Sequence, residues 1–344
     1  MKTSGASPVE TGRRSVAPGL LLAAGVSLLA WGAERVLVQW VGRAVLEAIV
    51  LAIVIGTVMR AVAVRTPARA RRIEPGAAVA SGLLLECSIV LLGAGSDLRA
   101  LAAAGSSILI GVVGIVVLTL GFGTMVGRWF GLPRSHALLV AVGNAICGNS
   151  AISAAAPVVG ARREEVASAI AFTAVLGVMV ILGLPSLIPL LGLSDHQYGV
   201  VAGLTVYAVP QVIAAAYPVS LMAGQTAMLV KLMRVVLLGP VVLVLSLTEH
   251  RAARVNWWRV VPWYIIGFAV TSALRTTGVI PASAGDAVRE VARLLTVMAM
   301  AGLGLAVDLA AVRRVGARVG ATVLLTLALM LGLSLALVRG LQIP

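Results

Sequence analysis

Long apolar runs separated by short polar links occupy almost the whole chain. A bilayer crossing needs about 20 mostly apolar residues. The runs that reach or approach this length cover residues 16–37, 44–63, 77–96, 106–128, 135–158, 165–191, 197–220, 225–247, 260–277, 288–308 and 317–341. The ninth run is short and ends at Arg275, so ten crossings are the alternative to eleven. The pattern predicts an all-α polytopic membrane protein, with a short tail (1–15) and a single transmembrane domain (16–341).

Composition supports the membrane assignment. Hydrophobic residues make up 60% of the chain, charged residues 12%, and the mean hydropathy is +1.05. Soluble domains carry about 45–50% apolar and about 25% charged residues. These values exclude an ordinary cytosolic enzyme, and they exclude a disordered chain, which needs low hydrophobicity. The longest polar stretch, residues 65–76, is expected to be only a loop, so there is no room for an accessory soluble domain.

The net charge of +14 comes mainly from arginines placed between apolar runs. Such positions are typical of topology signals and lipid-headgroup contacts, so we do not expect nucleic acid as a partner. With a cytoplasmic N-terminus, the cytoplasmic links carry 16 Lys and Arg residues and the opposite links carry 7. The asymmetry predicts that orientation. Arg13 and Arg14 before the first run resemble a signal peptide, but an uncleaved first span is the simpler interpretation.

A short sequence motif occurs in both the third run and the tenth run. Leu92–Leu98 aligns with Leu303–Leu309 at a constant offset of 211 residues. An odd number of crossings separates the two motifs, so they should run in opposite directions. Inverted-topology repeats of this kind are typical of transporters. The alternative is coincidence in a chain rich in Ala, Gly, Leu and Val.

A first polar cluster, Gly143–Ala151, interrupts the fifth run. Irregular backbone at membrane depth is tolerated only inside protein or beside a water-filled cavity. Glycines permit a helix break, and a half-helix beginning near Asn149 would aim free N–H groups and a positive dipole end into that cavity. This arrangement suits an anion. A plain helix-packing face is the alternative. The candidate substrate-binding residues here are Asn144, Cys147, Gly148, Asn149 and Ser150.

A second cluster, Tyr207–Gln211, interrupts the seventh run. Pro210 removes a backbone donor and disfavours helix at the residue before it. We expect a second broken helix, with the candidate ligand Gln211 at the new N-terminus; a simple proline kink is the alternative. Upstream, Ser194–Gln197 has the pattern of a capping box that starts a helix.

Ionisable residues inside membrane spans are functional candidates by default. Glu86 lies deep in the third run and is the candidate proton carrier, because burial disfavours the charged form of a carboxyl group. Lys231 and Arg234 share one helix face and are expected to form the positive wall of the anion site. Snorkelling to the interface, or a salt bridge to Glu86, is the alternative for this pair.

The chain offers no constellation typical of an enzyme. His136, His196 and His250 lack metal-ligand spacing, and Cys87 and Cys147 lie in apolar runs without a disulfide or zinc pattern. No glycine-rich phosphate loop is present in the sequence. We therefore expect a protein that is not an enzyme and that needs neither a cofactor nor a metal.

Three segments, residues 143–172, 191–216 and 230–245, resemble the YeiH-like sulfate exporter family, and the resemblance covers about residues 20–340. It implies a bacterial inner-membrane protein of the cation/proton antiporter and bile-acid-symporter-like superfamily, with inverted repeats and broken helices near the midplane. Gln211, Lys231 and Arg234 match the family pattern. At Tyr207–Pro210 the chain departs from a more polar family segment, so proton or ion coupling at that position is not expected from the resemblance.

The leading functional hypothesis is a secondary transporter that exports sulfate or a related small anion by alternating access. A cation-coupled carrier of organic acids is one alternative, and a non-transporting membrane scaffold or sensor is another. The expected partners are a small anion and the lipid bilayer, with a homo-oligomer as a further possibility.

Overall fold

The computed structural model describes residues 15–41, 48–63, 66–94, 105–248, 263–307 and 316–341, which form helices and short turns with no strand among them. The α-helices are α1 (Ala17–Val41), α2 (Ala48–Ala63), α3 (Pro67–Val79), α4 (Leu85–Gly93), α5 (Gly105–Trp129), α6 (Arg134–Ala145), α7 (Asn149–Val159), α8 (Arg163–Gly183), α9 (Leu187–Leu191), α10 (Asp195–Thr205), α11 (Val209–Ala216), α12 (Leu221–Val236), α13 (Leu238–Thr248), α14 (Trp263–Thr276), α15 (Ala282–Ala306) and α16 (Ala317–Gly340). A π-helical turn, Ala80–Leu84, joins α3 to α4, and a 3₁₀ turn, Leu184–Ser186, joins α8 to α9.

The all-α polytopic prediction is confirmed, and each predicted apolar run contains at least one helix. Six helical stretches are long and apolar enough to cross a membrane. They are Ala17–Trp40, Ala68–Gly93, Ser107–Trp129, Arg163–Leu191, Leu221–Thr248 and Ala317–Gly340. Among the described residues, the other five runs do not contain one helix that is both long and apolar enough to cross a membrane. Helices α2 and α14 are short, the fifth and seventh runs are each divided into two helices, and the first third of α15 contains charged residues.

The predicted loop at residues 65–76 is wrong, because the chain is helical from Pro67 onward. Proline at the first helical position lacks an N–H that would have no intrahelical partner there, so it starts a helix at little cost. The new helix packs on α1 where Gly19 and Gly76 meet, and a side chain on either glycine would clash with the opposing backbone. Small residues allow this close approach between membrane helices.

Helix packing places a cavity between two groups of helices. In one group α15 packs against α1, α2, α3 and α4, and α14 packs against α4. In the other, α5 packs against α6 and α16, while α10 packs against α12 and α16. Helix α11 contacts α2 and α15 and thereby connects the two groups at the cavity.

The two copies of the repeated motif both begin at the C-terminal end of a helix. Gly93 ends α4 and Ala306 ends α15, and the next long helices begin at Gly105 and Ala317. The remainder of each motif, with Asp97 and Asp308, lies outside the described residues. The inverted repeat therefore stays a prediction.

Candidate binding site at two broken helices

The first break separates α6 from α7. Helix α6 ends at Ala145, and α7 begins at Asn149 after three non-helical residues. The last of these, Gly148, has φ +64° and ψ −121°, a conformation that is essentially restricted to glycine. The interruption predicted for the fifth run is confirmed, and Gly148 is the residue whose backbone makes it.

The second break separates α10 from α11. The chain is extended at Val206 and Ala208, and the helix resumes at Val209 with Pro210 as its second residue. Gln211 is the third helical residue, not the first, and its Oε1 atom accepts a hydrogen bond of 3.1 Å from the N–H of Ala208. The predicted break is therefore confirmed, with the new N-terminus two residues earlier than expected.

The capping box that starts α10 is also confirmed. The Gln197 N–H donates to Ser194 Oγ at 3.2 Å, and the Ser194 N–H donates to Gln197 Oε1 at 3.1 Å.

The N-terminal ends of α7 and α11 open onto one cavity of about 390 Å³. Its walls come from both breaks, from the π turn with α4, and from single residues of other helices. The lining residues are Ser81, Gly82, Leu85, Glu86, Ile89, Cys147, Gly148, Asn149, Ser150, Thr173, Tyr207, Ala208, Val209, Pro210, Gln211, Tyr264 and Leu303. Asn149 Oδ1 accepts a 3.0 Å hydrogen bond from Thr173 Oγ1. The structure thus brings together Cys147, Gly148, Asn149, Ser150, Gln211 and Glu86 from the predicted set.

Glu86 lies across the cavity from the two breaks. It follows the π-helical turn, a local widening that is frequent at functional sites. The carboxylate is half-buried, and its Oε2 atom accepts a 2.7 Å hydrogen bond from Trp263 Nε1. Glu86 thus lines the cavity between the helices, and the described contacts pair it with Trp263 and not with Lys231.

Lys231 and Arg234 lie on α12 behind the breaks and are fully buried. Lys231 Nζ donates to the carbonyl oxygens of Ile146 at 2.6 Å and of Val206 at 2.8 Å. Arg234 donates five hydrogen bonds to carbonyl oxygens at the ends of α6 and α10, and its Nη2 also donates to Met330 Sδ on α16 at 3.5 Å. Its bonds run from Nε to Ala145 O (2.9 Å), from Nη2 to Asn144 O (2.7 Å) and Ala145 O (2.7 Å), and from Nη1 to Gly203 O (3.0 Å) and Leu204 O.

The two cations therefore cap the C-terminal ends of both first half-helices. Those ends carry the negative pole of the helix dipole and carbonyl groups without intrahelical partners. Neither cation lines the cavity, and the guanidinium of Arg234 has no N–H left for a ligand. Full burial also excludes snorkelling to the membrane interface. The structure thus gives the pair partners other than the anion and the Glu86 carboxylate considered from the sequence.

Asn144 also points away from the cavity. It is fully buried, its Nδ2 atom donates to Val323 O at 3.4 Å, and its Oδ1 atom has no hydrogen-bond partner in the described chain. Of the predicted binding residues, Asn144, Lys231 and Arg234 are the ones that do not line the cavity.

Sequence reasoning missed Gly177 on α8. A side chain there would clash with the amide group of Gln211, so the absence of a Cβ makes room for that amide. It also missed Thr173, Trp263 and Tyr264, which contact or line the cavity. Of these residues, only Trp263 and Tyr264, an aromatic pair near the start of the ninth run, could have been identified as candidates from the sequence.

We expect Gly177→Ala to raise the apparent Kd of the cavity for a small oxyanion about tenfold, which corresponds to a loss of about 1.4 kcal/mol in binding free energy. The added methyl group displaces the Gln211 amide from the cavity wall without changing the chemistry of any ligand-binding side chain. Gly183→Ala on the same helix is the matched control, because a methyl group there meets no neighbour within 4 Å. Equal Kd values for the two purified variants, measured by titration calorimetry with sulfate, would mean that Gln211 does not contribute to the site.

Metal binding finds no support in the described part of the chain, where no group of three or more His, Cys, Asp or Glu side chains could hold an ion. His250 lies outside that part.

Comparison with known proteins places the chain in a family. The family model described as Conserved hypothetical protein 698 matches residues 18–323. A UPF0324 membrane protein of Brucella melitensis biotype 1 is 46% identical over 308 residues, which cover 89% of this chain and 85% of that protein. The chain belongs to the UPF0324 membrane protein family. The resemblance to the YeiH-like family is thereby confirmed.

Other relatives match over a similar length of the chain. A UPF0324 membrane protein of Bacillus cereus (strain ATCC 14579) is 36% identical over 301 residues, covering 86% of this chain and 87% of that protein. One from Agrobacterium fabrum is 46% identical over 303 residues, with 88% and 86% coverage. No solved structure matches the chain. The relatives' names agree with the membrane assignment that the apolar helices support.

Proposed function

We propose that this protein is a secondary transporter that exports sulfate or a related small oxyanion across the bacterial inner membrane by alternating access, and that it is not an enzyme. The observation that carries the proposal is the convergence of two half-helix N-termini, those of α7 and α11, on one cavity. Helix N-termini attract anions through their free N–H groups and the positive end of the dipole. Discontinuous helices in transporters use the same arrangement.

The cavity adds side-chain donors to these helix ends. Asn149 and Ser150 are exposed on the first turn of α7. Gln211 is 3% exposed, and its Nε2 group makes no hydrogen bond to the described residues while Oε1 accepts from Ala208. A cavity of about 390 Å³ holds a small oxyanion together with several waters, since one water occupies about 30 Å³.

The occupied carbonyl groups argue against a cation-coupled carrier. In such a carrier, the unwound carbonyl oxygens at the helix breaks coordinate the coupling cation. Here Lys231 and Arg234 already donate to the carbonyl oxygens that end α6 and α10. Protein cations thus stand where a transported cation would bind, and we expect transport to be independent of Na⁺.

A non-transporting scaffold is less favoured for a different reason. Two helix breaks and a polar cavity cost stability, and a scaffold gains nothing from them, whereas a transporter uses strained backbone to bind its substrate.

The experiment is flux of radiolabelled sulfate through the purified protein in liposomes, with sulfite and organic acids as competitors and with Na⁺ replaced by choline. We expect saturable sulfate flux that survives the replacement of Na⁺. Flux that requires Na⁺ and favours an organic acid would support the cation-coupled alternative, and no flux of any small anion would support the scaffold.

The N-terminus is expected to be cytoplasmic, because the Lys and Arg residues of the links favour that orientation 16 to 7. A reporter that is active only in the periplasm should be inactive when fused before Arg13. The same reporter fused after Pro344 serves as the internal comparison and should be active if the chain crosses eleven times. Periplasmic activity of the N-terminal fusion would reverse the orientation.

A further inference from the structure

Glu86 is an unexpected neighbour for an anion site. Its carboxylate shares the cavity with the two positive helix ends, and no Lys or Arg is among the lining residues. An ionised carboxylate there repels any anion that enters. A protonated one does not, and it adds an O–H donor.

Charges around the cavity can be counted from the described groups. Each helix terminus carries about half a unit of charge, positive at N-terminal ends and negative at C-terminal ends. The N-terminal ends of α7 and α11 are thus cancelled by the C-terminal ends of α6 and α10. Lys231 and Arg234 remain, and with their N–H groups donated to the adjoining C-terminal carbonyl groups they are counted as two positive charges. Ionised Glu86 lowers the sum to one positive charge.

The net charge of the site is therefore zero in two of its anion-bound states. One contains a divalent oxyanion and a protonated Glu86, and the other contains a monovalent anion and an ionised Glu86. A divalent anion beside an ionised Glu86 leaves one uncompensated negative charge inside the protein, where like charges repel each other more strongly than in water.

We propose that the site binds one proton on Glu86 with each divalent oxyanion and none with a monovalent anion, so that every transport cycle moves one net negative charge. This inference rests on the proposed function and adds the coupling ion and the charge of the substrate to it. The proton comes from water on the side where the anion enters, forms an O–H bond with the Glu86 carboxylate, and returns to water on the side where the anion leaves.

The other titratable groups near Glu86 cannot take up this proton. Cys147, Tyr207 and Tyr264 line the same cavity, but thiol and phenol groups are already protonated at neutral pH. Helix α14 also contributes Trp263, which donates to Glu86 and does not titrate. Helix α15 presents Leu303 to the cavity, and its Arg293 is paired with Glu34 at 3.3 Å. Lys231 and Arg234 do not line the cavity, and their N–H groups are donated to backbone carbonyl groups.

Sulfate and perchlorate test the inference with the wild-type protein. Both ions are tetrahedral oxyanions, but sulfate is divalent and perchlorate is monovalent. In proteoliposomes that contain a pH-sensitive dye, sulfate flux should move about one proton per anion and perchlorate flux should move none, with protein-free vesicles correcting for leak. Equal proton movement with both ions, or none with sulfate, overturns the inference and leaves the proposed function standing.

Glu86→Gln is the decisive variant, because its amide imitates the neutral carboxyl group. Sulfate flux should continue without proton movement, so each cycle moves two negative charges where the wild type moves one. With valinomycin and a tenfold K⁺ gradient at equal pH, the sulfate ratio at equilibrium should rise from about tenfold to about one-hundredfold, because the electrical energy scales with the charge moved.

Glu74→Gln is the matched control. Glu74 also lies on a membrane helix, but it is paired with Arg60 at 3.5 Å and its side chain is 55% exposed. This variant should keep the wild-type sulfate ratio. Proton coupling that persists in Glu86→Gln refutes the assignment to Glu86. The absence of any sulfate flux in the wild type refutes the proposed function, and this inference with it.

Discussion

Replacing Arg234 with methionine is expected to lower the free energy of unfolding by about 3 kcal/mol or more, because several buried carbonyl groups lose a hydrogen-bond donor. The change leaves the carbonyl oxygens at the ends of α6 and α10 without donors, and these include Asn144 O, Ala145 O and Gly203 O. Each buried carbonyl group without a partner costs about 1–3 kcal/mol. The check is thermal or denaturant unfolding of the purified variant in detergent.

Two comparisons separate this role from ligand binding. Lys231→Met removes the donor from two carbonyl groups and should destabilise less than Arg234→Met. Arg163→Met, at an exposed position, should change stability by no more than about 0.5 kcal/mol. Adding Glu86→Gln should not restore stability, because Glu86 is bonded to Trp263. Unchanged stability with a raised KM for sulfate would instead mean that Arg234 contacts the anion.

Gly148→Ala is expected to reduce transport at least tenfold while leaving membrane insertion intact. The nearest atom to an added methyl group, Tyr207 Cβ, is 3.5 Å away, so the variant has room for its side chain. The backbone at φ +64° and ψ −121° is nevertheless strained for any residue with a Cβ, by about 1–3 kcal/mol. We expect relief of that strain to shift the first turn of α7, which lines the cavity.

Gly114→Ala on α5 is the control for this variant, because it lies in regular helix and a methyl group there meets nothing within 4 Å. Gly148→Leu should be at least as damaging as Gly148→Ala. Normal sulfate flux in Gly148→Ala, at normal expression, would contradict the view that the geometry of this break forms the site.

Both helix breaks could be predicted from sequence because their residues conflict with their surroundings. Glycine, asparagine and proline inside an apolar run have no place in a regular membrane helix, so Gly148 and Pro210 marked the interruptions directly. The loop predicted for residues 65–76 was wrong for the opposite reason. Their polarity suggested a loop, but polarity does not prevent helix formation, and Pro67 and the Gly19–Gly76 contact favour a helix there.

The roles of Lys231 and Arg234 could not be predicted, because their partners are backbone carbonyl groups. Every residue has a carbonyl group, so such a partner leaves no trace in the sequence, and only acidic side chains or a ligand could be considered. Gly177 is similar: its importance lies in the Gln211 amide that packs over it, and the two residues come from helices that only the fold brings together.

Anomalous scattering from bound selenate, a tetrahedral divalent analogue of sulfate, tests the central claim most directly. Crystals of the protein grown with selenate should show one selenium peak in the cavity between the first turn of α7, at Asn149 and Ser150, and the Gln211 amide on α11. The peak should disappear in competition with sulfate. A selenium peak against Lys231 and Arg234, or none in the cavity at saturating selenate, would contradict the account.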